Sequence, residues 1–232
     1  MLGLVNQKVH QSASGWSPVW LDESLGVMSI GFMLPDADDA IIWRGPRKNG
    51  LIRQFLTDVE WGNLDYLIID TPPGTSDEHI SMVQFLKETI NVAGAVVVTT
   101  PQEIAMADVR KEINFCKKTN LRVLGVVENM AGFLCPCCGT KSDIFPSPPG
   151  SGGPEGMAER ANVPYLGSLP LDPLLLSSCE TGEAYVTKHP DARGVAPFLA
   201  VVNRIVQSCE GADASLDAPP KDSDNSNNSS NV

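Results

Sequence analysis

An apolar run that ends abruptly at an acid, LIIDTPPGT over residues 67–75, is the feature that most restricts the fold. Leu67, Ile68 and Ile69 suit a buried strand, Asp70 closes it, and Pro72-Pro73 cannot continue a ladder. A strand of this kind delivers a carboxylate to the carboxyl edge of a parallel sheet, where the ligands of α/β proteins sit. The same pattern fits the second half of a phosphate-handling site. There Asp70 would help hold Mg²⁺ through water, and Gly74 would offer its N–H to a terminal phosphate. It fits a strand end with a capping aspartate equally well, and the pattern alone leaves both open.

Around this run, β-prone segments alternate with amphipathic ones. Residues 25–32 (LGVMSIGF), 93–99 (AGAVVVT), 121–127 and 165–169 read as further strands. Helices are expected over 48–59, with Leu51, Ile52, Phe55, Leu56 and Val59 on one face, and over 78–88, with Ile80, Val83 and Leu86 inward. Thr100-Pro101-Gln102-Glu103 has the form of a capping box opening a helix that buries Ala105, Val109, Ile113 and Cys116 and ends at Lys117-Lys118. A helix near 155–162 and another over 196–209, with Phe198, Val201, Val202, Ile205 and Val206 on one face, complete the set. Strands and helices alternating at this spacing predict an α/β domain with a doubly wound, mostly parallel sheet over residues 1–210. From Gly211 to Val232 the chain turns to Asp, Ser, Asn and Pro, and this acidic, polar tail is expected to be disordered.

Bulk properties narrow the function. A net charge of −11 with no basic stripe argues against nonspecific nucleic-acid binding. No apolar run reaches the length of a membrane span and the N-terminus lacks the layout of a signal peptide. The 6 cysteines, in a chain of this class, are expected to be reduced thiols in the cytosol or nucleus. Residues 45–51 (GPRKNGL) imitate the glycine spacing of a phosphate loop, but no Lys-Ser/Thr follows and no strand leads in, so they are a decoy.

Cys135 and Cys138, in CPCC over 135–138, have the spacing that lets two thiolates converge on one metal. A redox dithiol would sit at a helix N-terminus, whereas the flanks here read as loop. Zinc and an iron–sulfur cluster each need more ligands, and His10, His79 and His189 are scattered along the chain. A two-fold dimer would set the loop opposite itself and supply four thiolates, with Cys137 as a possible third ligand. Cys116 and Cys209 read as core residues on helix faces, and Cys179 has no assigned role.

Taken in order, WRGP (43–46), LIIDTPPGTSDEH (67–79), TTPQE (99–103), VVENMAGF (126–133), CPCC (135–138) and PLDP (170–173) resemble the Mrp-type branch of the MinD/ParA-like P-loop ATPases. These are cytosolic iron–sulfur cluster scaffolds, and VHQSASGWSP (9–18) and KEINFC (111–116) are most similar to the eukaryotic subtype. The resemblance covers about Met1 to Gln207 and implies a deviant P-loop NTPase fold. It implies that Asp70 positions Mg²⁺ and water for ATP hydrolysis and that Pro72, Pro73 and Gly74 form the switch sensing the terminal phosphate. It places Asn129 at the adenine and Pro170, Leu171 and Asp172 beside the base. Cys135 and Cys138 become ligands of a [4Fe–4S] cluster bridging two subunits, in a homodimer or with a paralogous scaffold ATPase, and apo iron–sulfur proteins become the clients. Arg44 and Lys48 fall near the site by loose analogy, and Lys48 is expected to be a solvated charge.

The resemblance also implies an absence. Complete members begin with a strand, a GKGGVGK[S/T] loop, a helix and a second strand, and the sequence contains no such loop. The chain alone is therefore not expected to hydrolyse ATP, and it reads as part of a longer protein. The strand carrying Asp70 would lose its neighbour and leave an unpaired apolar edge. The alternative function is a nucleotide-free partner subunit that contributes only its Cys-x-x-Cys ligands.

Overall fold

The computed structural model describes residues 1–13, 15–34, 45–89, 92–135 and 137–216, with only the backbone of 88–89 and 211–216. Trp43, Arg44, Pro136 and the tail beyond Leu216 lie outside the described residues. The N-terminal part forms two short antiparallel hairpins, β1 (His10–Gln11) with β2 (Trp16–Ser17) and β3 (Val19–Trp20) with β4 (Gly26–Val27). Helices α1 (Gly45–Thr57) and α2 (Asp77–Thr89) follow. Next come β5 (Ala95–Thr99), α3 (Glu103–Lys118), β6 (Val123–Glu128) and the hairpin β7 (Phe133–Leu134) with β8 (Lys141–Ser142). The chain continues through α4 (Gly153–Arg160), β9 (Tyr165–Ser168), α5 (Pro173–Thr181), α6 (Tyr185–Lys188) and α7 (Val195–Leu216).

Strands β5, β6 and β9 make a parallel sheet in that order; β5 and β6 are rich in β-branched residues, and each crossover includes a helix. Met106, Val109 and Ile113 of α3 and Met157 and Ala158 of α4 cover one face, against Val97 and Val126. Val201 and Ile205 of α7 cover the other, against Val127, Leu166 and Val96. Helices on both faces give the doubly wound arrangement expected from the alternation. Gly125 is where the sheet packs most closely, since a Cβ there would stand 2.5 Å from Leu166 Cγ and 2.9 Å from the Pro164 carbonyl.

Several expectations need correction. Residues 67–70 do not form a strand: β6 is the neighbour of β5, no described strand pairs with 67–69, and Ile68 is 89% exposed. An apolar segment without a ladder partner has no backbone hydrogen bonds to hold it extended, however β-prone its side chains. The strand expected over 25–32 shrinks to Gly26–Val27, because Ser29 Oγ accepts from the Gly31 N–H and caps a 3₁₀ turn over Ile30–Met33. The Thr100 capping box does not form. Helix α3 starts at Glu103 behind Gln102, while the Thr100 hydroxyl donates to Gln102 Oε1 at 3.3 Å.

Val109, Ile113 and Cys116 are buried as expected, and Met106 joins them, while Ala105 at the edge of that stripe is only half-buried. Ile80 and Val202 face solvent, because each lies at the rim of its helix's apolar stripe. Two elements, α5 and α6, were not legible from apolar spacing. Residues 45–51, which imitate the glycine spacing of a phosphate loop, lie in helix α1. Helix α7 runs to Leu216, past the Cys209 limit of its apolar face, through alanines that favour helix.

Candidate functional site

The loop after Asp70 is built around His79, a buried histidine of α2. The Ser76 N–H donates to His79 Nδ1 at 3.1 Å, so Nδ1 is the acceptor and Nε2 carries the proton. Nε2–H then donates to the Pro72 carbonyl at 3.0 Å, tying the two prolines to the helix that follows them. The ring meets Phe115 of α3 edge-on, with centroids 6.2 Å apart. Helix α3 reaches the loop a second time where Glu112 Oε1 accepts from the Gly74 N–H at 3.0 Å. Gly74 has φ +90°, a backbone conformation that favours glycine. Asp70, Pro72 and Pro73 are exposed.

The carboxyl ends of β6 and β9 carry a second group of expected site residues. Asn129 N–H donates to the Thr99 carbonyl at 2.7 Å, extending the β5–β6 ladder by one residue. Its side-chain oxygen accepts from the Met130 N–H, which holds Met130 at φ +58°. Backbone bonds from Ala131 to Leu169 and from Leu171 to Gly132 stitch this loop to the Pro170-Leu171-Asp172 turn. Asp172 caps α5 through the Leu174 N–H at 2.8 Å and accepts from the Tyr185 hydroxyl at 2.6 Å. Burial, then this bond, push the Tyr185 phenol above its usual range. The cap position leaves little of the Asp172 carboxylate for a ligand. Nearby, Tyr165 donates to Glu128 Oε2 at 2.6 Å, and burial with that carboxylate likewise raises its phenol.

A bridge between Phe133 and Leu171 carries the same network into the cysteine hairpin. Cys135 N–H donates to the Thr140 carbonyl at 3.0 Å, and Gly139 N–H to the Cys135 carbonyl at 2.8 Å, closing a tight knuckle. Cys138 Sγ lies 3.2 Å from the Thr140 hydroxyl. Hydrogen bonds from the Thr140 side chain and amide, then from Cys135, hold the Cys138 thiol down at about 7. Cys135 is half-buried, while Cys137 and Cys138 are exposed. The Arg193 guanidinium packs on Gly139, where a Cβ would stand 2.5 Å from Nη1. Among the described residues no group of three or more His, Cys, Asp or Glu is placed to hold a metal, so the hairpin offers at most a pair of ligands.

The fold therefore brings Asn129, Leu171, Asp172 and the cysteine pair into one hydrogen-bonded network. Among the described residues no hydrogen bond joins the 70–76 loop to it. Lys48 is not simply solvated, since its ammonium pairs with Glu78 at 2.8 Å and joins α1 to α2. Sequence reasoning set His79 aside as scattered and passed over Glu112. The spacing of Glu112 and Phe115, neighbours on one helix face, was the available signal.

Fold and site together define an α/β domain with a thiol hairpin fastened to the loops at the carboxyl ends of β6 and β9. Residues 1–206 match the ParA family of NUBPL iron-transfer P-loop NTPases. The chain belongs to this family. It is similar to a nucleotide-binding protein of Archaeoglobus fulgidus solved in complex with ADP, at 38% identity over 77% of this chain, with a TM-score of 0.61. The cell-division ATPase MinD of Pyrococcus furiosus matches at 24% identity over 70% of this chain and 59% of its own, with a TM-score of 0.49. MinD of Pyrococcus horikoshii, complexed with Mg-ADP, matches at 23% identity over 76% and 60%, with a TM-score of 0.48. The chain spans 65% of the length of the Archaeoglobus protein. Among the described residues no helix is long and apolar enough to cross a membrane.

Proposed function

We propose that this chain is a subunit of a cytosolic iron–sulfur scaffold that receives a [4Fe–4S] cluster as cargo and passes it to apo-proteins. Cys135 and Cys138 would supply two thiolates and the same pair of a second subunit the other two. The observation that carries this reading is the fastening of the thiol hairpin to the Asn129 and Leu171 loops by backbone hydrogen bonds. Movement at the carboxyl edge of the sheet would thus be felt at the metal. The Cys138 thiol, held at about 7, is partly thiolate at neutral pH, the form that binds metal. In the complete protein ATP binding and hydrolysis would drive that movement, with Asp70 holding Mg²⁺, Pro72, Pro73 and Gly74 sensing the terminal phosphate, and Asn129, Pro170 and Leu171 at the base. The resemblance at these positions and the ADP bound by the Archaeoglobus protein support this assignment.

A second reading, the nucleotide-free partner subunit, is favoured by a separate observation. The Gly74 N–H and the Asp172 carboxylate are already engaged within the fold. Titration with Mg-ATP separates the two readings, and micromolar binding by this chain would exclude the second. Anaerobic reconstitution followed by iron and sulfide analysis tests the cargo. The Cys135→Ala/Cys138→Ala chain is expected to lose the bound iron, and iron retained at the wild-type level would refute the assignment.

A further inference from the structure

Gly74 is the residue on which the phosphate reading of the loop depends, and its amide already has an anionic partner. Glu112 Oε1 stands 3.0 Å from the Gly74 nitrogen, half-buried on the face of α3 that also carries Phe115. Phe115 packs on His79, and His79 holds the Pro72 carbonyl and the Ser76 amide. Helix α3 thus grips both the loop and the residue that shapes it. A carboxylate oxygen and a phosphate oxygen ask the same of an N–H, namely a charge-assisted bond along its axis. One amide at this distance does not serve both.

We propose that Glu112 is an internal stand-in for the terminal phosphate, holding the 72–76 loop against α3 until a phosphate oxygen displaces it from the Gly74 amide. This rests on the reading of Gly74 as the phosphate-sensing residue. Displacement would release the Gly74 end of the loop from α3 while His79, still against Phe115, keeps the rest in shape, so the exchange of one anion for another becomes a local movement of the loop. Glu112 is a positioning residue in this scheme and touches no reacting atom.

The test uses the full ¹⁵N-labelled chain, the variants Glu112→Ala and Glu112→Gln, and inorganic phosphate and Mg-ATP as probes. Gly74 amide exchange is expected to be protected in the wild type, about tenfold or more faster in Glu112→Ala, and intermediate in Glu112→Gln, which keeps an acceptor without its charge. The phosphate concentration that moves the Gly74 resonance is expected to fall about tenfold in Glu112→Ala. Unchanged methyl resonances of Val109 and Ile113 establish that α3 stays packed, and Glu112→Gln carries the comparison if the alanine variant does not fold. A Gly74 amide that exchanges equally fast in all chains overturns the contact. Equal phosphate midpoints in wild type and variants overturn the stand-in role while leaving Gly74 a phosphate-sensing residue. A Gly74 resonance that ignores both probes in every chain removes the phosphate reading itself, and the stand-in role with it.

Discussion

Glu78 sits in the first turn of α2, where a negative charge is favoured by the helix dipole, and its carboxylate pairs with Lys48. Hydrogen bonding to Lys48, then to Ser76, pulls its pKa from 4.5 to about 2. A carboxyl depressed by folding adds stability that is fully present above pH 4.5 and is lost as the pH falls through about 2. Replacing Lys48 with Met is expected to move the Glu78 titration back toward 4.5 and to flatten the acid limb of the stability curve between those values. Carboxyl NMR titration and urea melts at several pH values check this. A Glu78 titration left at about 2 in the variant would show that Ser76 and the helix terminus suffice. None of this was legible in the sequence, where Lys48 looked solvated, because a pair 30 residues apart exists only once α1 lies against α2. Asp172, expected beside the base, acts in the fold as the cap of α5. Its second engagement, with Tyr185, needed the fold.

At the scale of elements, periodicity located the parallel sheet and its flanking helices because each buries a continuous apolar stripe. It failed where the stripe had no partner or was too short. Residues 67–69 are as apolar as Val96 to Val98, yet among the described residues only the latter have a neighbouring strand to pair with. The hairpin around Cys135 is invisible to periodicity because its strands are two residues each. Packing between β6 and β9 depends on Gly125, whose position leaves no room for a side chain. Gly125→Ala is expected to cost about 2–3 kcal/mol by overpacking Leu166 and crowding the Pro164 carbonyl. Because β6 ends in the Asn129 loop, the same change is expected to loosen the thiol hairpin. Thermal or urea unfolding measures the first effect and exchange of the Cys135 amide the second. An unchanged melting midpoint would mean that β9 shifts freely to make room.

For the whole molecule, no strand among the described residues pairs with the outer side of β5, and β-branched side chains are exposed both on that strand and in the 67–70 segment. Val98 is 55% exposed and Ile68 89%. An unpaired parallel edge beside exposed β-branched residues favours pairing with another chain. Two kinds of self-association should therefore be separable. One is driven by the edge, independent of metal, and expected to weaken when Val98 and Ile68 are both changed to Lys. The other is driven by the thiols, appears only when iron and sulfide are supplied, and is expected to vanish in Cys135→Ala/Cys138→Ala. Sedimentation velocity on the 24.9 kDa chain, with and without reconstitution, distinguishes them. Iron loading should convert the lysine-substituted chain from monomer to dimer, since its edge is blocked and its thiols are intact. A lysine-substituted chain that binds iron yet stays monomeric would mean that the pair holds metal without a second subunit. Ligands from elsewhere in the same chain would then have to be found.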